Sequence, residues 1–255
     1  MRLTVIGSSD AFNAEGRGCS CYVVESPGAG KLMIDFGPTA LFGLRRAGIA
    51  PNELAGIVFT HLHGDHAAGF PLFVIDALYN SLRATELSVL GPALTREVLD
   101  ALLAATYGDV KVDTARLRLL FDEFVPGETR QVAGYEIRAF EADHMKPPHR
   151  PLCLRVTDAA GKSVAFSGDT RLCPGLFEAA EGAELLVAEC TRLAPPAGHH
   201  CTFEEWREAL PQVRARSVLF SHLGADVRAR AAELAAEQSG PVRFDFADDG
   251  LVVTL

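Results

Sequence analysis

The chain has 255 residues, 48% of them hydrophobic, so it can bury a large core, and we expect residues 1–255 to form a single domain. Its formal charge is −9 and its sequence pI is about 5.4. This balance argues against nucleic acid as a partner, because a surface that grips phosphate backbones depends on many Lys and Arg side chains.

The sequence also argues against a membrane partner. No apolar run approaches the roughly 20 residues that a membrane-spanning helix needs. The N-terminal segment MRLTVIGSSD carries an apolar run too short for the core of a signal peptide. A cytoplasmic location is therefore the default expectation. A homodimer is compatible with the sequence, which leaves the oligomeric state open.

Six cysteines are spread along the chain: Cys19, Cys21, Cys153, Cys173, Cys190 and Cys201. An even number permits disulfides, but a long intracellular chain rarely depends on them. Cys19 and Cys21 alternate with Ser20 in a segment that reads as a strand, so both should lie on one face. We expect buried, reduced thiols rather than a metal site, and a further role of these two residues stays open.

Apolar runs bounded by turn residues predict the strands, and apolar residues at helical spacing predict the helices. The predicted strands are 2–7, 19–25, 31–35, 56–60, 87–90, 116–122, 135–142, 151–157, 163–167, 184–189, 217–221, 242–247 and 251–254. The predicted helices are 39–47, 66–82 (despite Pro71), 94–106, 203–210 and 225–237. Asp249-Gly250 has the sequence of a hairpin turn between the last two strands.

Strands and helices are thus mixed in the first and last parts, around a strand-rich middle. Two sheets packed face to face, each with helices on its outer side, would satisfy this pattern. A single open α/β sheet would satisfy the periodicity as well. The motifs have to decide between the two.

The segment Thr60-His61-Leu62-His63-Gly64-Asp65-His66 follows a predicted buried strand. Residues 61 and 63 would project to the same side and converge on one ion. Gly64 would allow a sharp turn that sends Asp65 and His66 to a neighbouring position. Imidazole and carboxylate together favour zinc, iron or manganese over calcium.

Further ligand candidates follow other predicted strands. They are Asp143 and His144, Asp169 in Ser-Gly-Asp-Thr, and His222 after Ser221. In α/β proteins the carboxyl ends of strands gather the chemistry, so these side chains are expected to meet the histidine motif.

In these motifs the sequence resembles the metallo-β-lactamase superfamily over essentially the whole chain. The resemblance implies a four-layer αββα sandwich of two mixed sheets flanked by helices. It implies that His61, His63 and His144 hold one metal, that Asp65, His66 and His222 hold the other, and that Asp169 bridges them. Asp35, after KLMID, matches the family's early Asp that orients ligands.

The resemblance also indicates a hydrolytic site. Flavodiiron oxygen reductases typically carry Glu where this chain has His63, and the presence of both Asp65 and His66 favours two metals over one. We expect two divalent transition-metal ions, zinc first, with manganese or iron as alternatives. A hydroxide bridging two such metals and aimed by Asp65 is a nucleophile at neutral pH.

Two further segments indicate which group of enzymes within the superfamily the chain resembles. Leu185-Leu-Val-Ala-Glu189 and His200-Cys201-Thr202 resemble ribonuclease Z-like enzymes, in which the Glu and the His handle the proton of the leaving group. The long Gly-rich, basic arm of ribonuclease Z has no counterpart between Leu87 and Thr129. We therefore expect a phosphodiesterase acting on a small anionic substrate, with Lys146, His149 and Arg150 as candidate substrate contacts.

Three other functions stay open at this stage. They are a hydrolase of the same fold acting on a lactone, thioester or other ester, a ribonuclease Z-like RNA endonuclease, and a metal-binding or sensing protein without catalysis.

Overall fold

The computed structural model describes residues 1–110, 116–238, 240 and 242–255. The strands are β1 (Arg2–Gly7), β2 (Cys21–Glu25), β3 (Lys31–Ile34), β4 (Leu54–Val58), β5 (Leu87–Gly91), β6 (Leu119–Glu123), β7 (Thr129–Val132), β8 (Tyr135–Glu141), β9 (Leu152–Thr157), β10 (Ser163–Phe166), β11 (Leu185–Glu189), β12 (Ser217–Ser221), β13 (Arg243–Phe246) and β14 (Val252–Thr254). The α-helices are α1 (Ala40–Arg46), α2 (Gly64–Ala67), α3 (Phe70–Tyr79), α4 (Thr95–Tyr107), α5 (Pro174–Ala180), α6 (Phe203–Ala209) and α7 (Ala225–Ala236).

The strands form two seven-stranded sheets, in the orders β14-β1-β2-β3-β4-β5-β6 and β13-β12-β11-β10-β9-β8-β7. Each sheet is mixed: β3 to β6 and β10 to β13 run parallel, and the other neighbours are antiparallel. The two parallel regions carry most of the candidate ligands at their strand ends, and His144 follows the antiparallel strand β8.

The core has three layers, which follow from the burial of both faces of each sheet. Between the sheets, Tyr22 and Ile34 of the first pack with Leu154 and Phe166 of the second. The outer face of the first sheet is covered by α1, α3 and α4, and that of the second by α5, α6 and α7. The αββα sandwich expected from the resemblance is confirmed, and the single open sheet is excluded.

Buried polar contacts tie the sheets together beside the strand ends. The Tyr22 hydroxyl of β2 donates to Ser221 Oγ at the end of β12, over 2.7 Å. The Leu152 amide of β9 donates to the Thr60 carbonyl, over 2.8 Å. The two halves of the candidate site are thereby held in register.

Three local predictions were wrong. The Asp249-Gly250 turn joins strands of different sheets, because β13 pairs with β12 and β14 pairs with β1. The helix predicted over 66–82 is broken at Ala68-Gly69, where the Gly69 amide donates to the Phe36 carbonyl. Cys19 precedes β2, although it is as buried as Cys21.

Strand β7 and helix α5 were not predicted, since their short sequences TRQV and PGLFEAA show neither a clear alternation nor a long helical period. The segment in which a ribonuclease Z arm was sought includes residues 111–115, which lie outside the described residues. Among the described helices, none combines the length and the hydropathy that crossing a bilayer requires.

Candidate metal centre

The candidate ligands lie where strands of both sheets end. Parallel pairing brings Ile34 of β3 beside Val58 of β4, so that Asp35 and Thr60 follow side by side. In the second sheet Glu189 of β11 pairs with Ser221 of β12, which brings His222 next to Glu189. Topology thus gathers residues that are distant in the sequence.

Backbone strain marks two of these strand ends. Asp35 and His222 adopt φ values of 59° and 54°, in the left-handed region that residues other than glycine rarely occupy. Such strain persists where the surroundings hold it in place, and it concentrates at functional sites.

The tight backbone approach at the histidine motif occurs at Gly37 and not at Gly64. Gly64 is the first residue of α2, and a Cβ there would meet only Ala68 Cβ, at 4.0 Å. A Cβ at Gly37 would lie 1.8 Å from the Asp65 carbonyl oxygen. The expected role of Gly64 was therefore wrong. Gly168 has a φ of 56°, and a Cβ there would lie only 2.8 Å from Thr60 Cβ, so this glycine does give the close approach expected before Asp169.

Asp35 orients the two histidines of the first sheet, His66 directly and His61 through Thr60. Its carboxylate accepts from the Thr60 amide (2.7 Å) and hydroxyl (2.8 Å) and from His66 Nδ1 (2.8 Å). Because the Thr60 hydroxyl proton is engaged with Asp35, His61 Nδ1 must donate to Thr60 Oγ1, at 3.1 Å. With Nδ1 engaged in this way, both imidazoles direct Nε2, the atom that would bind a metal, to the centre.

The second sheet fixes its histidines in the same way with different groups. His144 Nδ1 donates to the His199 carbonyl, over 2.9 Å. Thr191 donates its hydroxyl proton to Glu189 Oε2, so His222 Nδ1 donates to Thr191 Oγ1, at 2.9 Å. The Nε2 atoms of His144 and His222 are thereby left for the centre.

The Nε2 atoms of these four histidines all point toward Asp169. Its carboxylate lies 3.6 Å from His61 Nε2, 3.3 Å from His66 Nε2, 3.7 Å from His144 Nε2 and 3.4 Å from His222 Nε2. Two ligand groups share it, and within each the atoms lie within 4.8 Å of one another: His61, His63, His144 and Asp169, and Asp65, His66, Asp169 and His222.

The residues present fit divalent transition-metal ions. His61 Nε2 and His66 Nε2 are buried and have no hydrogen-bond partner among the described residues. A buried acceptor without a partner is costly unless a ligand satisfies it. The donor set of imidazole nitrogens and carboxylate oxygens is the one that such ions prefer.

The electrostatics of the cluster also favour a bound cation. Burial raises the pKa of Asp169, but His222, His66 and His61 outweigh burial and hold it well below the ordinary value. Burial lowers the pKa of His66, yet Asp169 and Asp35 hold it well above the ordinary value. Ionised carboxylates inside the protein thus draw positive charge to the centre.

The predicted pair of Glu189 and His200 lies beside this cluster. His200 Nδ1 donates to Glu189 Oε1, over 3.0 Å. Burial lowers the pKa of His200, but the hydrogen bond and the charge of Glu189 prevail and raise it to about 9. The Glu189 carboxylate also accepts from the Thr170 and Cys201 amides and from the Thr191 hydroxyl. Glu189, His200 and His222 also form a group whose ligand atoms lie within 4.8 Å of one another. Because the Glu189 carboxylate already accepts four hydrogen bonds, we assign it to orienting His200 and not to a metal.

Among the described residues, no hydrogen bond or ion pair links Lys146, His149 or Arg150, the candidate substrate contacts, to the histidine–aspartate cluster. His149 and Arg150 line a separate cavity of about 170 Å³ with Pro126, Glu141 and Met145. Lys146 is exposed. Their proposed role stays a prediction.

Some residues that support the site had no role assigned from the sequence. Thr60 and Thr191 fix the tautomers of His61 and His222, and the carbonyl of His199 does so for His144. Thr60 immediately precedes His61, whereas Thr191 lies 31 residues from His222 in the sequence. Only the folded chain shows that these two hydroxyls orient the histidines.

Comparison with known proteins agrees with this fold. The chain is 26% identical to ribonuclease Z of Methanothermobacter thermautotrophicus over 298 aligned residues, covering 99% of this chain and 96% of that protein. The metallo-β-lactamase fold protein YhfI of Bacillus subtilis superposes with a TM-score of 0.79 at 22% identity, covering 99% and 98% of the two chains. A diphosphatase from the PhnP family gives a TM-score of 0.75 at 18% identity, covering 100% and 97%.

The fold places the chain in the class of metallo-β-lactamase-fold proteins, and its histidine–aspartate cluster fits a metal site. In this class it is similar to ribonuclease Z. Within that class the chain belongs to the family described as anti-Pycsar protein Apyc1, whose family model matches residues 1–244.

Proposed function

We propose that the protein is a phosphodiesterase that uses two divalent transition-metal ions, zinc first, to hydrolyse a small phosphodiester. The observation that carries the proposal is the carboxylate of Asp169, which belongs to both ligand groups. One group suits an ion held by His61, His63 and His144. The other suits an ion held by Asp65, His66 and His222.

When bound, the two ions would supply activated water at neutral pH and would offset negative charge on phosphoryl oxygens. The open side of the cluster is formed by the three members that reach solvent: His63, Asp65 and His200. Interactions with His66 and His222 outweigh burial and lower the pKa of Asp65, so its carboxylate stays ionised and can orient the attacking water.

His200 is proposed as the general acid for the leaving group. As the bond between phosphorus and the leaving oxygen breaks, an alkoxide needs a proton. His200 can donate it, because Glu189 holds the ring and keeps it protonated at neutral pH. The side chain of His200 is 24% exposed and that of Glu189 is 1% exposed, so the acid meets the substrate and its partner does not.

A small substrate is supported by the charge of −9 and by the short connection between α4 and β6. The diphosphatase of the PhnP family and the ribonuclease Z relative carry names of phosphoester enzymes, which supports a phosphoester over a carboxylic ester. Cyclic and linear phosphodiesters are both compatible with the site.

A substrate panel tests the proposal. Metal-loaded protein would be assayed with bis(p-nitrophenyl) phosphate, 2′,3′- and 3′,5′-cyclic nucleotides, lactones and thioesters. We expect turnover of phosphodiesters only. Turnover of lactones or thioesters alone would replace the reaction class. No turnover by metal-replete protein would indicate a binding or sensing role.

A second candidate function, RNA processing, is favoured by the ribonuclease Z relative. We expect poor cleavage of precursor transfer RNA, because the chain lacks a basic arm and carries net negative charge. The measurement is specific cleavage at the 3′ end under single-turnover conditions. Efficient cleavage there would reinstate RNA as the substrate.

A further inference from the structure

A thiol pair lies on the outer face of the second sheet, apart from the proposed ligands. Among the six cysteines, Cys173 alone is partly exposed, and the other five are buried. Cys173 immediately precedes α5 and lines an open cavity of about 620 Å³ with Arg138, Phe140 and Met145. A small reactant can therefore reach this one thiol from solvent.

The second thiol of the pair is that of Cys153 in β9, which is buried near Cys173. Both sulfur atoms approach the same carbonyl oxygen, that of Glu141, at 3.5 Å from Cys173 Sγ and 4.0 Å from Cys153 Sγ. Cys153 is fully buried opposite Phe140 of β8, and both cysteines contribute to the same apolar layer. The exposed thiol and the buried thiol thus meet at one carbonyl oxygen.

The surroundings favour the thiolate of Cys173. The hydrogen bond from Cys153 lowers its pKa most, burial opposes this, and Thr170 and two backbone groups assist, so that the pKa falls to about 6. The same hydrogen bond, together with burial, raises the pKa of Cys153 well above the ordinary value. One member of the pair is therefore the nucleophile at neutral pH and the other retains its proton.

We propose that Cys173 is a peroxide-reactive thiol and that Cys153 resolves its oxidised form to a disulfide. The Cys173 thiolate attacks one oxygen of hydrogen peroxide, the O–O bond breaks, and hydroxide leaves, giving the sulfenic acid. The Cys153 sulfur then attacks the Cys173 sulfur, a new S–S bond forms, and water leaves. In sum, two thiols are oxidised and one hydrogen peroxide is reduced to two water molecules.

The pair is linked to the catalytic side through Thr170. Cys173 Sγ lies 3.5 Å from Thr170 Oγ1, which accepts from the Asp143 amide at 2.9 Å. The Thr170 amide donates to Glu189 Oε1 at 2.8 Å. Disulfide formation would pull residues 170–173 toward β9 and shift the Thr170 amide that holds Glu189, so we expect lower turnover. This consequence rests on the proposed function, whereas the oxidation itself does not.

The test is peptide mapping of metal-loaded protein after brief treatment with hydrogen peroxide. We expect a Cys153–Cys173 disulfide that thiol reductants reverse. Limited alkylation of the untreated protein should label Cys173 roughly 10-fold faster than any other cysteine. Cys173→Ser should abolish both results, and Cys21→Ser, a matched change at a buried thiol of the first sheet, should alter neither.

Cys153→Ser should leave a sulfenic acid at Cys173 that a dimedone probe captures. If that variant does not fold, the disulfide mapped in the unmodified chain decides alone. A Cys173 that stays reduced under peroxide, or that is oxidised without joining Cys153, would overturn the proposal. Faster labelling of a different cysteine would overturn it as well.

Discussion

The two sheets contribute to the site in different ways. The first sheet supplies most of its share in one short segment, His61 to His66, with Asp35 as support. The second sheet supplies its residues one at a time, at Asp169, His222 and other strand ends. The contiguous half is set by local spacing. In the dispersed half, parallel pairing aligns the ends of β10, β11 and β12, and the antiparallel strand β8 adds His144.

The halves also differ in how their histidines are oriented. In the first sheet a buried carboxylate, Asp35, accepts from His66 and holds Thr60 against His61. In the second sheet the direct acceptors are neutral. They are the carbonyl of His199 and the hydroxyl of Thr191, which Glu189 holds in turn. Hydrogen bonds to an ionised group are roughly twice as strong as neutral ones, so the first half should be the more rigidly held.

The largest expected effect lies in the second half. His200→Ala should slow hydrolysis of an alkyl phosphodiester by roughly 10²–10⁴-fold, because an alkoxide needs the proton that His200 supplies. Hydrolysis of a p-nitrophenyl ester should suffer much less, since p-nitrophenolate leaves unprotonated. Steady-state kinetics on both substrates checks this, and Glu189→Gln should act in the same direction but more weakly.

Metal content serves as the control for that experiment. His200 is not a proposed ligand, so the variant should keep the metal content of the unmodified protein. Equal damage to both substrates, with metals retained, would mean that His200 binds substrate or shapes the site. Loss of metal would make His200 a ligand.

An intermediate effect is expected when a hydrogen-bond partner of a ligand histidine is changed, and the charged partner Asp35 can be compared with the neutral partner Thr191. Asp35→Asn should weaken metal affinity by roughly 10–100-fold, because it removes the charge that orients His66 and Thr60. Thr191→Val should weaken it less, since His222 loses only a neutral partner. Competition with a chelator measures both, and Asp143→Asn, at an exposed carboxylate paired with Arg171, is the matched control. A larger loss of metal affinity in Thr191→Val than in Asp35→Asn would contradict the expectation that the first half is the more rigidly held.

The smallest expected effect concerns the backbone beneath the first half. Gly37→Ala should lower the free energy of unfolding by about 1–3 kcal/mol, because the new Cβ would overlap the Asp65 carbonyl. Gly64→Ala, in the motif itself, should change it by no more than about 0.5 kcal/mol. Denaturant unfolding of both variants checks the difference. A destabilised Gly64 variant would restore the sharp turn expected at that position.

The contrast between the contiguous and the dispersed half of the site also explains which features could be predicted from the sequence. Spacing alone placed His61 and His63 together, and position after a predicted strand added His144, Asp169 and His222 as candidates. The resemblance to a family then assigned each of them to a metal. The hairpin at Asp249-Gly250 was misread because local turn chemistry is the same whether a chain returns to its own sheet or crosses to another. The steric need at Gly37 was invisible because the clash comes from Asp65, whose approach only the folded chain reveals.

The hydrogen-bond partners of the histidines were equally hard to foresee. Thr60 and Thr191 differ from other threonines only in what the fold brings to them. The substrate contacts expected at Lys146, His149 and Arg150 rested on their position after His144 alone. Their segment leads His149 and Arg150 to a separate cavity, since a chain of six residues can turn away from a site within its own length.

The central claim is that both halves meet at Asp169 to hold two metals, and metal stoichiometry tests it most directly. Elemental analysis of metal-replete protein should find two transition-metal ions per chain. His66→Ala should retain one ion, because His61, His63, His144 and Asp169 remain as a complete group. At most one ion in the unmodified protein, under conditions in which metal is in excess, would contradict the account.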